Sequence, residues 1–112
     1  MKNTLEQVMA NWQWDRCWGW DFPMTAMCAA RVGRPDLAID AFFVQSVKNE
    51  YLPCGHNYQR PNLPLYLPGN GAFLSAIAMM AAGWESTPKP TKDCPGFPQG
   101  WTVKYEGLKP IF

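Results

Sequence analysis

The sequence predicts an all-α fold made of helical hairpins that form part of a larger helical barrel. Two helical patterns, one ending at Val32 and one carrying Leu37, Ala38, Ala41, Phe42 and Val44, are separated only by Gly33-Arg34-Pro35. Helices joined this tightly form an αα-hairpin, the unit of bundles and helical barrels. A later segment, Gly71 to Ala82, is apolar nearly all round, Ser75 excepted. A helix with no polar face must be surrounded by protein, so this one reads as an inner helix of a two-layer barrel. One stretch alternates like a strand, Trp101-Thr102-Val103-Lys104-Tyr105. The expected organisation is a partial barrel over residues 1–100, then the start of a β segment or β-domain over 101–112.

Each element has a local reason. Thr4-Leu5-Glu6-Gln7 fits a capping box, which predicts a helix from about Leu5 to Trp12. Gln13 to Trp20 lacks periodicity, contains Gly19 and reads as a loop. The second helix restarts at Phe22-Pro23, with Asp21 near the cap and Pro23 in the first turn, where its missing N–H is no loss. Met24, Met27 and Ala30 recur at helical spacing, and Gly33 is the expected C-terminal stop. From Val47 to Gly69, Pro53, Gly55, Pro61, Pro64 and Pro68 predict a long irregular loop, uncommon in a compact domain and functional when ordered. Asn70 is the expected cap of the apolar helix.

Composition excludes several functions. The 112 residues carry 10 basic and 9 acidic side chains, a formal net charge of +1, which offers no footprint for nucleic acid or an anionic membrane. The apolar run to Gly83 is too short to span a bilayer, and no signal peptide is visible at the start of this chain. Cys17, Cys28, Cys54 and Cys94 are scattered with no Cys-x-x-Cys pair. With one histidine they predict no metal site and no cofactor. Cys28 reads as a small buried hydrophobe in its helix. Four of the 6 tryptophans, Trp12, Trp14, Trp18 and Trp20, lie close together. Large aromatics fill cores, and they also form platforms on which the C–H faces of pyranose rings stack.

Trp18-Gly19-Trp20-Asp21-Phe22-Pro23-Met24, Gly55-His56-Asn57, Tyr66-Leu67-Pro68-Gly69-Asn70-Gly71 and Pro95-Gly96-Phe97-Pro98 occur in this order. These blocks resemble the C-terminal part of the (α/α)6 catalytic barrel of bacterial six-hairpin glycosidase-like proteins, over about Trp12 to Leu108. A more distant similarity is to the family 95 glycoside hydrolases, where an acidic residue occupies the place of Pro68. The resemblance implies a segment of a carbohydrate-active glycoside hydrolase, inactive as this piece alone. It also implies a secreted or periplasmic setting. Its partners would be carbohydrate and the remainder of the parent barrel, or a second copy through the apolar helix. The alternative is a non-catalytic carbohydrate-binding or helical interaction module.

Glycoside hydrolysis uses two carboxyl groups, about 5–5.5 Å apart for retention and about 6.5–9.5 Å for inversion. Asp21, between Trp20 and Phe22 at a helix mouth, is the catalytic candidate; helix capping is its other role. Asp15 and Glu50 follow it. Trp18 and Trp20 are the stacking candidates. His56, Asn57, Gln59 and Asn70 are the hydroxyl-binding candidates, since amides offer both donors and acceptors. His56 is the only histidine, and a lone histidine is more often a structural donor than a catalyst.

Overall fold

The structure, a computed structural model, describes residues 1–86, 90 and 92–111. Among these are four α-helices: α1 (Lys2–Asn11), α2 (Asp21–Arg31), α3 (Pro35–Phe42) and α4 (Leu67–Ala82). Two 3-10 turns, Trp14–Arg16 and Val47–Asn49, punctuate the connections. The chain is all-α, as expected, and no strand forms among the described residues.

The α2–α3 hairpin is set by its connecting residues. Gly33 takes φ 77, a conformation that favours glycine. The Gly33 N–H donates to the Ala30 carbonyl at 3.1 Å and the Arg34 N–H to the Ala29 carbonyl at 2.9 Å. This pair is a Schellman motif, which satisfies carbonyls that the helix end leaves open. Pro35 then opens α3 in its first turn. Arg34 donates to Asp36 at 2.8 Å and to Glu6 of α1 at 2.7 Å. Those hydrogen bonds from Arg34 hold the Asp36 carboxyl below the usual aspartate range.

The core is built from small side chains. Ala26, Ala29 and Ala30 of α2 face Ala38 and Ala41 of α3, with Met79 and Met80 of α4 beside them. Alanines allow the helices to approach closely, and the flexible methionines fill the gaps that remain. Leu5 of α1 and Phe97 of the C-terminal segment close the cluster. The Gly96 N–H donates to the Met80 carbonyl at 3.0 Å. A Cβ at Gly96 would overlap Met80.

Several expectations are corrected. α1 starts at Lys2 with Met1 as its cap residue, so Thr4 lies inside the helix and forms no capping box. α2 starts at Asp21 after Trp20 and has no side-chain cap. α4 starts at Leu67, because Pro68 is tolerated in a first turn; Asn70 lies within the helix and does not cap it. Cys28 is exposed. It lines an apolar groove of about 140 Å³ between α1 and α2, together with Leu5, Val8, Trp12, Met24 and Val32.

α4 is buried on one side only. Ala76, Met79 and Met80 face the core, whereas Leu67 and Leu74 remain 64% and 68% exposed. With Asn70 and Ser75 its only polar side chains, its sequence marked the outer face weakly, and Ser75 lies on it beside Leu74. Residues 101–105 form no strand: Val103 packs on the core and the Trp101 ring on Phe97, and no neighbouring strand among the described residues offers a ladder. The chain end instead returns to α4, where Glu85 and Ile111 share a 2.7 Å backbone hydrogen bond and Trp84 bridges Ile111 in parallel.

Gly96→Ala is expected to destabilise the protein by about 1–3 kcal/mol through overpacking against Met80. The urea midpoint of the variant should fall with an unchanged m-value. An unchanged midpoint would remove the C-terminal segment from the core.

Candidate functional site

The candidate residues converge where the loop before α2, the long connection and the start of α4 meet. The Asn57 side chain is the centre of this junction and is fully buried. Its Nδ2 donates to the Glu50 carbonyl at 3.1 Å and the Lys48 carbonyl at 3.3 Å. Its Oδ1 has no hydrogen-bond partner among the described residues. That oxygen lies between Gly19 and Gly69, where a Cβ on either glycine would overlap it. The Cα hydrogens that replace those Cβ atoms point at the oxygen, so weak C–H···O contacts stand in for conventional donors.

Two more amides complete the junction. The Gly19 N–H donates to Gln59 Oε1 at 2.9 Å, and Gln59 Nε2 donates to the Cys17 carbonyl at 3.4 Å. Asn70 Oδ1 accepts the Asn57 N–H at 2.9 Å, while its Nδ2 donates to the Gly55 carbonyl at 2.8 Å. Lys48 Nζ donates to the Gln59 carbonyl at 2.8 Å. Asn57, Gln59 and Asn70 are the expected hydroxyl-binding groups. Their amides are engaged in holding three chain segments together. The long connection supplied buried backbone groups that needed partners, and these side chains are those partners.

The junction places Asp21 and the tryptophans at the surface. Asp21 Oδ2 accepts the Trp18 N–H at 2.7 Å. The carboxylate therefore ties down the turn before α2 and does not cap the helix it begins. Burial, reinforced by the Asp21 carboxylate, pushes the Tyr66 phenol upward, and the Cys17 thiol is raised for the same two reasons. The Trp18 ring packs against Tyr66 with centroids 5.4 Å apart, and the Arg60 guanidinium lies 6.0 Å over it. Arg60 is positioned by a turn through Pro61, where Leu63 N–H donates to its carbonyl at 2.8 Å.

Trp20, the residue before Asp21, is 49% exposed and has no ring partner among the described residues. His56 is exposed, and its main-chain carbonyl accepts the Leu52 N–H at 2.9 Å. The structure brings Trp18, Asp21, Asn57, Gln59 and Asn70 into one connected junction. His56 contributes its backbone alone. Sequence reasoning missed Tyr66 and Arg60, whose place beside Trp18 depends on how the long connection folds back. Gly19 and Gly69 carried the signal for the Asn57 junction, since both stand in motifs where a close approach was the reason for glycine. Among the described residues no cluster of His, Cys, Asp and Glu could hold a metal ion.

Comparison with protein-family models, with curated proteins and with solved structures yields no match.

Asn57→Ala leaves the Lys48 carbonyl without its donor, while the Glu50 carbonyl keeps the Tyr58 N–H at 3.0 Å, and is expected to cost about 1–3 kcal/mol. Gly19→Ala should also destabilise, by driving a methyl group into Oδ1. In the double variant the clash is gone, so the combined loss should fall clearly short of the sum. Additive losses in a urea double-mutant cycle would show that the two residues do not meet.

Proposed function

We propose that this chain is the carbohydrate-contacting segment of a six-hairpin glycosidase-like protein, with Asp21 as an acid/base carboxylate and Trp20 as the stacking surface. The observation that supports the reading is a carboxylate fixed by a main-chain hydrogen bond, with a half-exposed indole at the preceding position. Asp21 is held by the 2.7 Å hydrogen bond from Trp18 N–H, next to the half-exposed Trp20. A sugar stacked on Trp20 would present its hydroxyls and glycosidic oxygen toward this carboxylate. General acid–base assistance of this kind contributes about 10²–10⁴-fold to rate, but hydrolysis also needs a second carboxyl group across the bond. In this reading the second group comes from the remainder of a barrel.

A second reading, a helical interaction module, is favoured by the outer face of α4. Leu67 and Leu74 are seven residues apart and strongly exposed, so they form an apolar stripe with Gly71 between them. The two readings agree if that stripe meets further helices of the same barrel.

Aryl glycosides provide the test. The isolated 112-residue chain should hydrolyse none of them at a useful rate. In a longer protein that carries the chain, Asp21→Asn should lower kcat by about 10²–10⁴-fold. Stability should change little, because the asparagine oxygen still accepts the Trp18 N–H. Unchanged turnover would return Asp21 to a purely structural role, and robust hydrolysis by the isolated chain would overturn the segment reading.

A further inference from the structure

A separate surface feature lies on the other side of the α2 entry. The 3-10 turn Trp14–Arg16 and the segment after α3 enclose an open depression of about 450 Å³, lined by Trp12, Gln13, Trp14, Asp15, Arg16 and Gln45. That volume falls within the range of small-molecule sites, about 300–1,000 Å³.

Its walls are held from behind. Ser46 Oγ donates to the Trp14 carbonyl at 3.2 Å, tying the turn to the segment that carries Gln45. The Arg16 N–H donates to the Gln13 carbonyl at 2.8 Å, and the Cys17 N–H to that of Trp14 at 3.1 Å. The Trp14 ring stacks on the fully buried Phe22, with centroids 5.2 Å apart. Trp12 meets Trp14 at 5.6 Å and an interplanar angle of 51°, which makes an aromatic corner.

The polar groups of this depression are unengaged. Among the described residues, neither indole N–H makes a hydrogen bond within the chain, and neither does the Gln13 amide. Among the described residues the Asp15 carboxylate and the Arg16 guanidinium form no ion pair, and both salt bridges found there belong to Arg34. Gln45 uses only its Nε2, on the Phe43 carbonyl at 3.3 Å, and keeps its oxygen available. This is the opposite of the Asn57 junction, where nearly every amide group has a partner inside the protein.

We propose that this depression is a binding site for one neutral pyranose. An aromatic corner offers apolar faces to the sugar C–H groups. A carboxylate accepts from two neighbouring hydroxyls, a guanidinium donates to two, and an amide does either. Adjacent Asp15 and Arg16 cancel in charge, so the depression carries no net charge, which matches a neutral sugar. The site shares no residue with the Asp21 surface, and it stands whether or not that surface is catalytic.

The test uses the whole chain labelled with ¹⁵N, in which each of the six indole N–H groups reports separately. Methyl β-D-glucopyranoside and methyl β-D-galactopyranoside are titrated, with glycerol as a polyol control. At least one glycoside should give saturable shifts of the Trp12 and Trp14 indoles in the millimolar range. Asp15→Ala and Arg16→Ala, both at exposed positions, should each weaken that binding by about tenfold. Unchanged circular dichroism checks the fold of both variants, and Gln45→Ala provides a third variant outside the turn. Shifts confined to Trp18 and Trp20 would overturn this site and leave the Asp21 surface standing. Shifts confined to Trp12 and Trp14 would do the reverse. Equal shifts with glycerol, indifference to all three substitutions, or no shift at any indole would overturn the site.

Discussion

The carboxamide of Asn57, wedged between two glycines, is the constraint on which the arrangement of this surface depends. It leaves no room for a side chain at Gly19 or Gly69, and its amide nitrogen supplies the Lys48 carbonyl and adds a second donor to the Glu50 carbonyl, which also accepts the Tyr58 N–H. A buried amide oxygen without a conventional donor is costly. Here the cost is offset by close C–H contacts and by the backbone order that the nitrogen imposes. Because Gly19 lies between Trp18 and Trp20, whatever holds Gly19 also sets where those indoles and Asp21 stand. The junction is thus the mechanical base of the candidate site, although its own polar groups face inward.

The two halves of the molecule use different physics. The α2–α3 hairpin and α4 associate through alanine and methionine packing, which is non-directional and tolerant of small shifts. The loops that carry the tryptophans are ordered by directional hydrogen bonds from Asn57, Gln59 and Asn70. Loops held this way can present several side chains at fixed angles on a small scaffold. The tryptophans are divided accordingly: Trp14 rests on Phe22, Trp18 on Tyr66, and Trp20 has no ring partner among the described residues.

Local signals in the sequence translated well into structure. Gly33 and Pro35 marked the hairpin because a positive φ and a first-turn proline are one-residue decisions. The end of α2 therefore fell where expected. Features set by distant residues were less legible. Asn70 looked like a cap because it preceded an apolar helix, but its side chain was drawn back to Asn57 and Gly55, which no local pattern reveals. Asp21 had the right chemistry for a cap and was instead used one turn earlier, on Trp18. The strand pattern at residues 101–105 failed because alternation describes a strand only when another edge is present to receive it. At the candidate site the sequence pointed to Trp18, Asp21, Asn57, Gln59 and Asn70 but missed Tyr66 and Arg60, and the division into internal and surface groups depended on the fold of the long connection.

The span of the Asn57 junction has a kinetic consequence. Its hydrogen bond from Gly19 to Gln59 joins residues 40 positions apart, whereas the bond from Asn57 to Asn70 closes a loop of only 13. Local loops close at a lower entropic cost, so the connection can dock on α4 before the tryptophan segment is captured. The aromatic surface is then the last part to be assembled and the first to be released in partial opening, while the α2–α3 hairpin persists. Order in this protein would be lost from the tryptophans inward, so that ligand capture and the final folding step draw on the same motion.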